Sequence, residues 1–98
     1  MAYGIVLVFE GVTENDYWSV NDALGLPRDD WSQGWPKGAV SHTGGPTATG
    51  WIVTEVWESK AHQERFMAER LGAALATAGV PAPVQVIESE LVNYQTAG

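Results

Sequence analysis

Residues Trp51–Glu58 read WIVTEVWE, and Ser59–Gly79 continue as SKAHQERFMAERLGAALATAG. The first stretch is rich in aromatic and β-branched residues and predicts a strand over Trp51–Trp57. Ser59 is the natural N-cap of a helix in the second. Phe66, Met67, Leu71, Ala74, Leu75 and Ala78 then recur at helical spacing over three turns. Gly79 ends the helix, and Pro81 and Pro83 forbid its continuation. Upstream, Ala39–Thr43 is a short strand joined to Trp51 by the turn-rich run GGPTATG (44–50), which makes an antiparallel hairpin. Residues 25–38 (GLPRDDWSQGWPKG) show no period and form a long loop holding two tryptophans. Thr13, with Asp16 three residues on, predicts a capped helix over 14–24, with Tyr17, Val20 and Leu24 as its apolar stripe. Tyr3–Phe9 (YGIVLVF) is a strand apolar on both faces, Val84–Tyr94 is a last strand, and residues 95–98 are a polar tail.

The order is therefore β-α-β-β-α-β. It predicts an α+β, ferredoxin-like domain over residues 1–98: a four-stranded antiparallel sheet with two helices on one face. The other face has no cover from its own chain. Trp51, Val53 and Trp57 are expected there, and an apolar patch of that size calls for a second copy of the chain.

The 98 residues carry five Lys plus Arg against twelve Asp plus Glu, a formal charge of −7. Nucleic acid is an unsuitable partner for such a balance, because phosphate binding needs clustered cations. No run reaches the ~20 apolar residues of a membrane span, and the N-terminus lacks the basic flank of a signal peptide. The expected location is cytoplasmic. Without cysteine there is no disulfide, thiolate metal site or cysteine nucleophile. Two histidines on different elements form no ligand pattern, so no metal is expected.

The strand-to-helix join, with Glu55 and Trp57 as an E-x-W ending, Ser59 as cap and Phe66 and Leu71 behind it, resembles the dimeric α+β barrel superfamily. It is similar in particular to the antibiotic-biosynthesis-monooxygenase-like branch. That resemblance implies a homodimer whose sheets close a barrel, with a cleft in each subunit. It also implies a function among those of the branch: oxidation of aromatic polyketides or quinols without metal or flavin, haem degradation, or no known activity. Many active members carry a helix-two histidine about ten residues past the strand-three Trp. Here Phe66 and Met67 occupy that region and His62 comes too early, which disfavours haem degradation.

Candidate site residues emerge from their chemistry. His42 is either a general base toward a phenol or quinol, a role open to imidazoles as a class, or a half-buried structural histidine. Glu55 shares a face with Trp51, Val53 and Trp57, where a carboxylate is costly unless paired. Facing one cavity, His42 and Glu55 would be an acid–base pair. Trp51, Trp57 and Phe66 offer flat walls for a planar ligand, or simply core packing. Trp31 and Trp35 sit in the long loop, as a lid over a ligand or as plain packing. Two readings result: a homodimer that binds a small flat apolar or aromatic molecule and needs no cofactor, with cofactor-independent monooxygenation as its chemistry if it is an enzyme; or a non-catalytic dimerisation or carrier module.

Overall fold

The computed structural model describes residues 2–32 and 34–97; Met1, Gly98 and Gln33, the last within the predicted loop, lie outside the described residues. The elements are β1 (Tyr3–Glu10), α1 (Glu14–Ala23), β2 (Ala39–Pro46), β3 (Gly50–Trp57), α2 (Lys60–Phe66), a π-helical segment (Met67–Leu71), α3 (Gly72–Ala78) and β4 (Gln85–Glu90). All strand pairs are antiparallel and the sheet order is β2-β3-β1-β4. This is the ferredoxin-like arrangement expected from the order of elements.

Local chemistry explains most boundaries. The Thr13 side chain accepts from the Asp16 backbone N–H, and the Asp16 side chain accepts from that of Thr13, so α1 opens on a full capping box with Asp at the third position. Ser59 caps α2 by accepting from the His62 N–H. Gly79 closes α3 in the left-handed conformation (φ +70°). The π-helical segment interrupts the second helix between Phe66 and Leu71, both of which are buried.

Three expectations are corrected. The hairpin turn is shorter than the run 44–50: β2 continues through Gly44, Gly45 and Pro46 to pair with β3. The last strand spans Gln85–Glu90 rather than 84–94. Trp51 and Trp57 do not lie on the uncovered face. They share the helix-covered face with Tyr3, Ile5, Leu7, Phe9 and Val53, and Trp57 is 1% exposed. Both parities of β1 and β3 are apolar, so alternation alone could not say which set the helices take. The larger set went under the helices because that side buries more apolar area. The uncovered face carries the smaller set: Val6, Val8, Ile52 and Val56, all half-buried, and Ile87, which is exposed.

The β1–β3 ladder leaves no room at Gly50, which pairs with Glu10. A Cβ there would land on the Phe9 carbonyl oxygen, whereas one on Gly45 would meet nothing. Gly50→Ala is expected to cost at least ~2 kcal/mol in urea denaturation, and Gly45→Ala to stay within about 0.5 kcal/mol.

Candidate functional site

The candidate site begins with a β-bulge. Ala39 pairs with Trp57 and Ser41 with Val56, so Val40 is one residue too many for the ladder. Beyond it, His42 stands opposite Glu55. With regular pairing, Ser41 would oppose Glu55 and His42 would face the uncovered side. The extra residue therefore brings the imidazole onto the helix-covered face.

There a chain of hydrogen bonds forms. His42 Nδ1 lies 2.8 Å from Glu55 Oε2, and Trp57 Nε1–H donates to Glu55 Oε1 at 3.0 Å. Glu55 is 7% exposed, and each of its oxygens has a donor. A carboxylate facing Nδ1 selects the tautomer protonated there, leaving Nε2 as an acceptor. The Tyr17 hydroxyl, from α1, donates to that Nε2. Gly44 makes this possible, since a Cβ on it would meet the tip of the Tyr17 ring.

The chain borders an apolar cavity of about 60 Å³ between the sheet and the helices. Leu7, Phe9, Val53, Phe66, Leu71 and Leu75 supply most of its apolar wall, with Trp51 stacked on Tyr17 at 5.1 Å between ring centroids. The π-helical segment, a feature frequent at functional sites, directly follows the cavity residue Phe66 and ends at another, Leu71. Trp31 tilts against His42 at 4.4 Å between centroids. Its indole N–H donates to Asn21 Oδ1 at 3.0 Å, while Asn21 Nδ2 donates to the Leu26 carbonyl at 2.7 Å. Asn21 thus clasps the long loop to α1.

Of the residues named from sequence, His42, Glu55, Trp31, Trp51 and Phe66 meet at this cavity. Trp57 does not line it; the indole lies behind Glu55 and packs on Phe66. Trp35 does not line it either: it is 41% exposed and sits edge-on to Trp31. His62 hydrogen-bonds Ser59 away from the cavity. Tyr17 and Asn21 were missed. Tyr17 reads in sequence only as part of the apolar stripe of α1, and Asn21 carries no motif, although an Asn on the same side of α1 as Tyr17 is a signal for a bonded amide.

No protein-family model and no curated protein matches the chain. Solved structures do. A candidate antibiotic biosynthesis monooxygenase from Chloroflexus aurantiacus aligns at TM-score 0.66 and 17% identity, covering 100% of both chains. A monooxygenase from the gene ActVA-Orf6 of Streptomyces coelicolor, in complex with the ligand Nanaomycin D, aligns at TM-score 0.57 and 17% identity over 99% of this chain and 92% of its own. A dimeric ferredoxin-like protein of unknown function from Thermobifida fusca aligns at TM-score 0.51 and 16% identity, over 90% and 86%. The resemblance read from the strand-three join holds at the level of fold.

Burial first, and the Glu55 charge second, push the Tyr17 phenol up to about 12. The folded chain thus holds this proton more tightly than the unfolded one, whose tyrosines ionise near ~10. That contribution to stability is whole below about pH 10 and is lost as pH rises through about 12. Urea denaturation across this range should show a shallower alkaline loss in Tyr17→Phe. Tyr3, raised by burial and then by Glu88, keeps some of the loss in place.

Proposed function

We propose that the cavity receives a small planar phenol or quinol, and that Glu55, His42 and Tyr17 carry off its hydroxyl proton. The observation behind this reading is the imidazole fixed between a buried carboxylate and a phenol at the wall of an otherwise apolar cavity. The Tyr17 oxygen accepts the ligand's hydroxyl, its own proton passes to His42 Nε2, and Glu55 balances the imidazolium. Moving both protons together avoids a free tyrosinate, which the raised Tyr17 pKa makes costly.

The phenolate so formed is electron-rich enough to react with dioxygen at a ring carbon. A carbon–oxygen bond forms and the distal oxygen takes the proton from His42; the ring carbon then releases its hydrogen as a proton, its C–H electron pair becomes the second bond of the new carbonyl, and the O–O bond breaks so that hydroxide and that proton leave as water. A phenol plus dioxygen becomes a quinone plus water, and every atom and electron is accounted for. Likeness in fold to monooxygenases supports this chemistry. The cavity volume favours a second, non-catalytic reading, since about 60 Å³ is well below the ~300 Å³ usual for ligand pockets. Ring-sized ligands require Trp31 to leave its place over His42.

Tryptophan fluorescence and an oxygen electrode separate the readings, with a panel of phenols and naphthols as probes. Quenching together with oxygen uptake that falls ~100-fold or more in His42→Gln is the expected result. Quenching without uptake would make the protein a carrier. No response to any probe would leave the dimerisation module.

The same reading includes a homodimer paired through the uncovered sheet face. Val6, Val8, Ile52, Val56 and Ile87 form an apolar strip there, and a neighbour in fold is dimeric. Sedimentation should give a dimer mass for the parent chain and a monomer for Ile52→Lys, whose ammonium would be buried in the pairing.

A further inference from the structure

Core packing accounts for Trp51 and Trp57, but Trp31 and Trp35 stand outside the core, in the loop between α1 and β2. They meet edge to face at 5.3 Å between centroids. Trp31 also tilts against the His42 imidazole at 4.4 Å. Tyr17 lies near-parallel to the same imidazole, at 5.9 Å and 17°, and its hydroxyl donates to Nε2. Tyr17, His42, Trp31 and Trp35 therefore form a continuous column of rings. It runs from the cavity wall to an indole that is 41% exposed.

In a chain without cysteine, indoles and phenols are the side chains most readily oxidised by one electron. Rings in contact can pass that electron along. A phenol that loses an electron becomes a strong acid, so its oxidation is easy only where a base stands ready for the proton. His42 Nε2 is such a base for Tyr17, and Glu55 at Nδ1 offsets the imidazolium charge. Tyr3 has a base too, the Glu88 carboxylate, but among the described residues no pair of contacting rings leads from Tyr3 to the surface. Trp18 offers a competing exit, edge-on to Tyr17 at 5.1 Å. Trp31 is better placed, because it packs on the imidazole that is hydrogen-bonded to the Tyr17 oxygen, the atom that shares the unpaired electron of a phenoxyl.

We propose that Tyr17 is a redox-active tyrosine, and that Trp31 and Trp35 carry its electron to a one-electron oxidant at the surface. Trp35 gives one electron to the oxidant and is refilled by Trp31. Trp31 in turn takes an electron from Tyr17, whose hydroxyl proton moves to His42 Nε2. The products are a reduced oxidant, a neutral tyrosyl radical and an imidazolium facing Glu55; both indoles end as they began. The partner is an outer-sphere electron acceptor, and a cationic one suits a chain of charge −7. No ligand in the cavity is required, so this inference stands or falls apart from the phenol reading.

The test is flash oxidation by tris(bipyridine)ruthenium(III), made from the ruthenium(II) complex by light and a cobalt(III) ammine acceptor. The starting protein is Tyr94→Phe, which removes a phenol that is 39% exposed to the oxidant. A tyrosyl radical should form, identified by its optical band and by the change in its spin-resonance pattern when tyrosine is ring-deuterated. In this background the radical should be lost in Tyr17→Phe and should lose most of its yield in Trp35→Phe. It should form ~100-fold more slowly in His42→Gln, and more slowly in heavy water than in water without that change. If a variant at Tyr17 or His42 does not fold, the Trp35→Phe yield and the solvent isotope effect decide. An undiminished radical in Tyr17→Phe, or radicals confined to indoles, would overturn the role of Tyr17. Full yield in Trp35→Phe would overturn the path, and a loss in Trp18→Phe would name the exit in its place. No solvent isotope effect would overturn the part given to His42.

Discussion

A carboxylate placed in the apolar face of a sheet has to be hydrogen-bonded, and Glu55 imposes that requirement on everything around it. Its two oxygens need donors that reach the core side of β3. Trp57, two residues along the same strand, supplies one from its own face of the pleat. The other must come from a neighbouring strand, and the directly opposed position on β2 holds His42. The imidazole then has its tautomer set, its free nitrogen needs a donor in turn, and Tyr17 of α1 provides it. One buried charge thus links three elements and aligns a proton path along the cavity. Removing a single member would strand the others without partners, at more cost than its own bond is worth.

Much of the architecture was legible because it rests on local signals. The Thr13–Asp16 box, the Ser59 cap and the Gly79 stop are each decided by a few neighbouring residues. They hold regardless of tertiary context. Facing was another matter. β1 and β3 are apolar on both parities, so their pattern did not distinguish the side that meets helices from the side left open, and the indoles were expected on the wrong one. The Glu55–His42 pairing depended on a register offset at Val40, and no residue near the bulge announces it. Trp57 and Trp51 looked equivalent in sequence. Their difference is a single hydrogen bond, made by one indole and unmade by the other.

The loop between α1 and β2 shows how an irregular segment is held. Leu26 and Pro36 are buried near its ends, and Asn21 bonds both the Leu26 carbonyl and the Trp31 indole. Trp31 in turn covers His42. A side chain that reads in sequence as one polar position on an amphipathic helix is therefore what couples the loop to the proton path. Trp35 rests on Trp31 from outside, which accounts for two tryptophans in a segment without regular structure.

The extra residue at Val40 also bears on how such a site arises or vanishes in descent. Point substitution alters one side chain and leaves its neighbours where they are. Gain of one further codon there, with the single bulge retained, would instead turn Ala39 or His42 to the opposite side of the sheet, exchanging a core face for a surface face in one event. Lineages sharing this scaffold can thus differ in their chemistry while their helices, caps and apolar core stay nearly the same. Alignments that ignore one-residue gaps in β2 would pair residues that never occupy the same side.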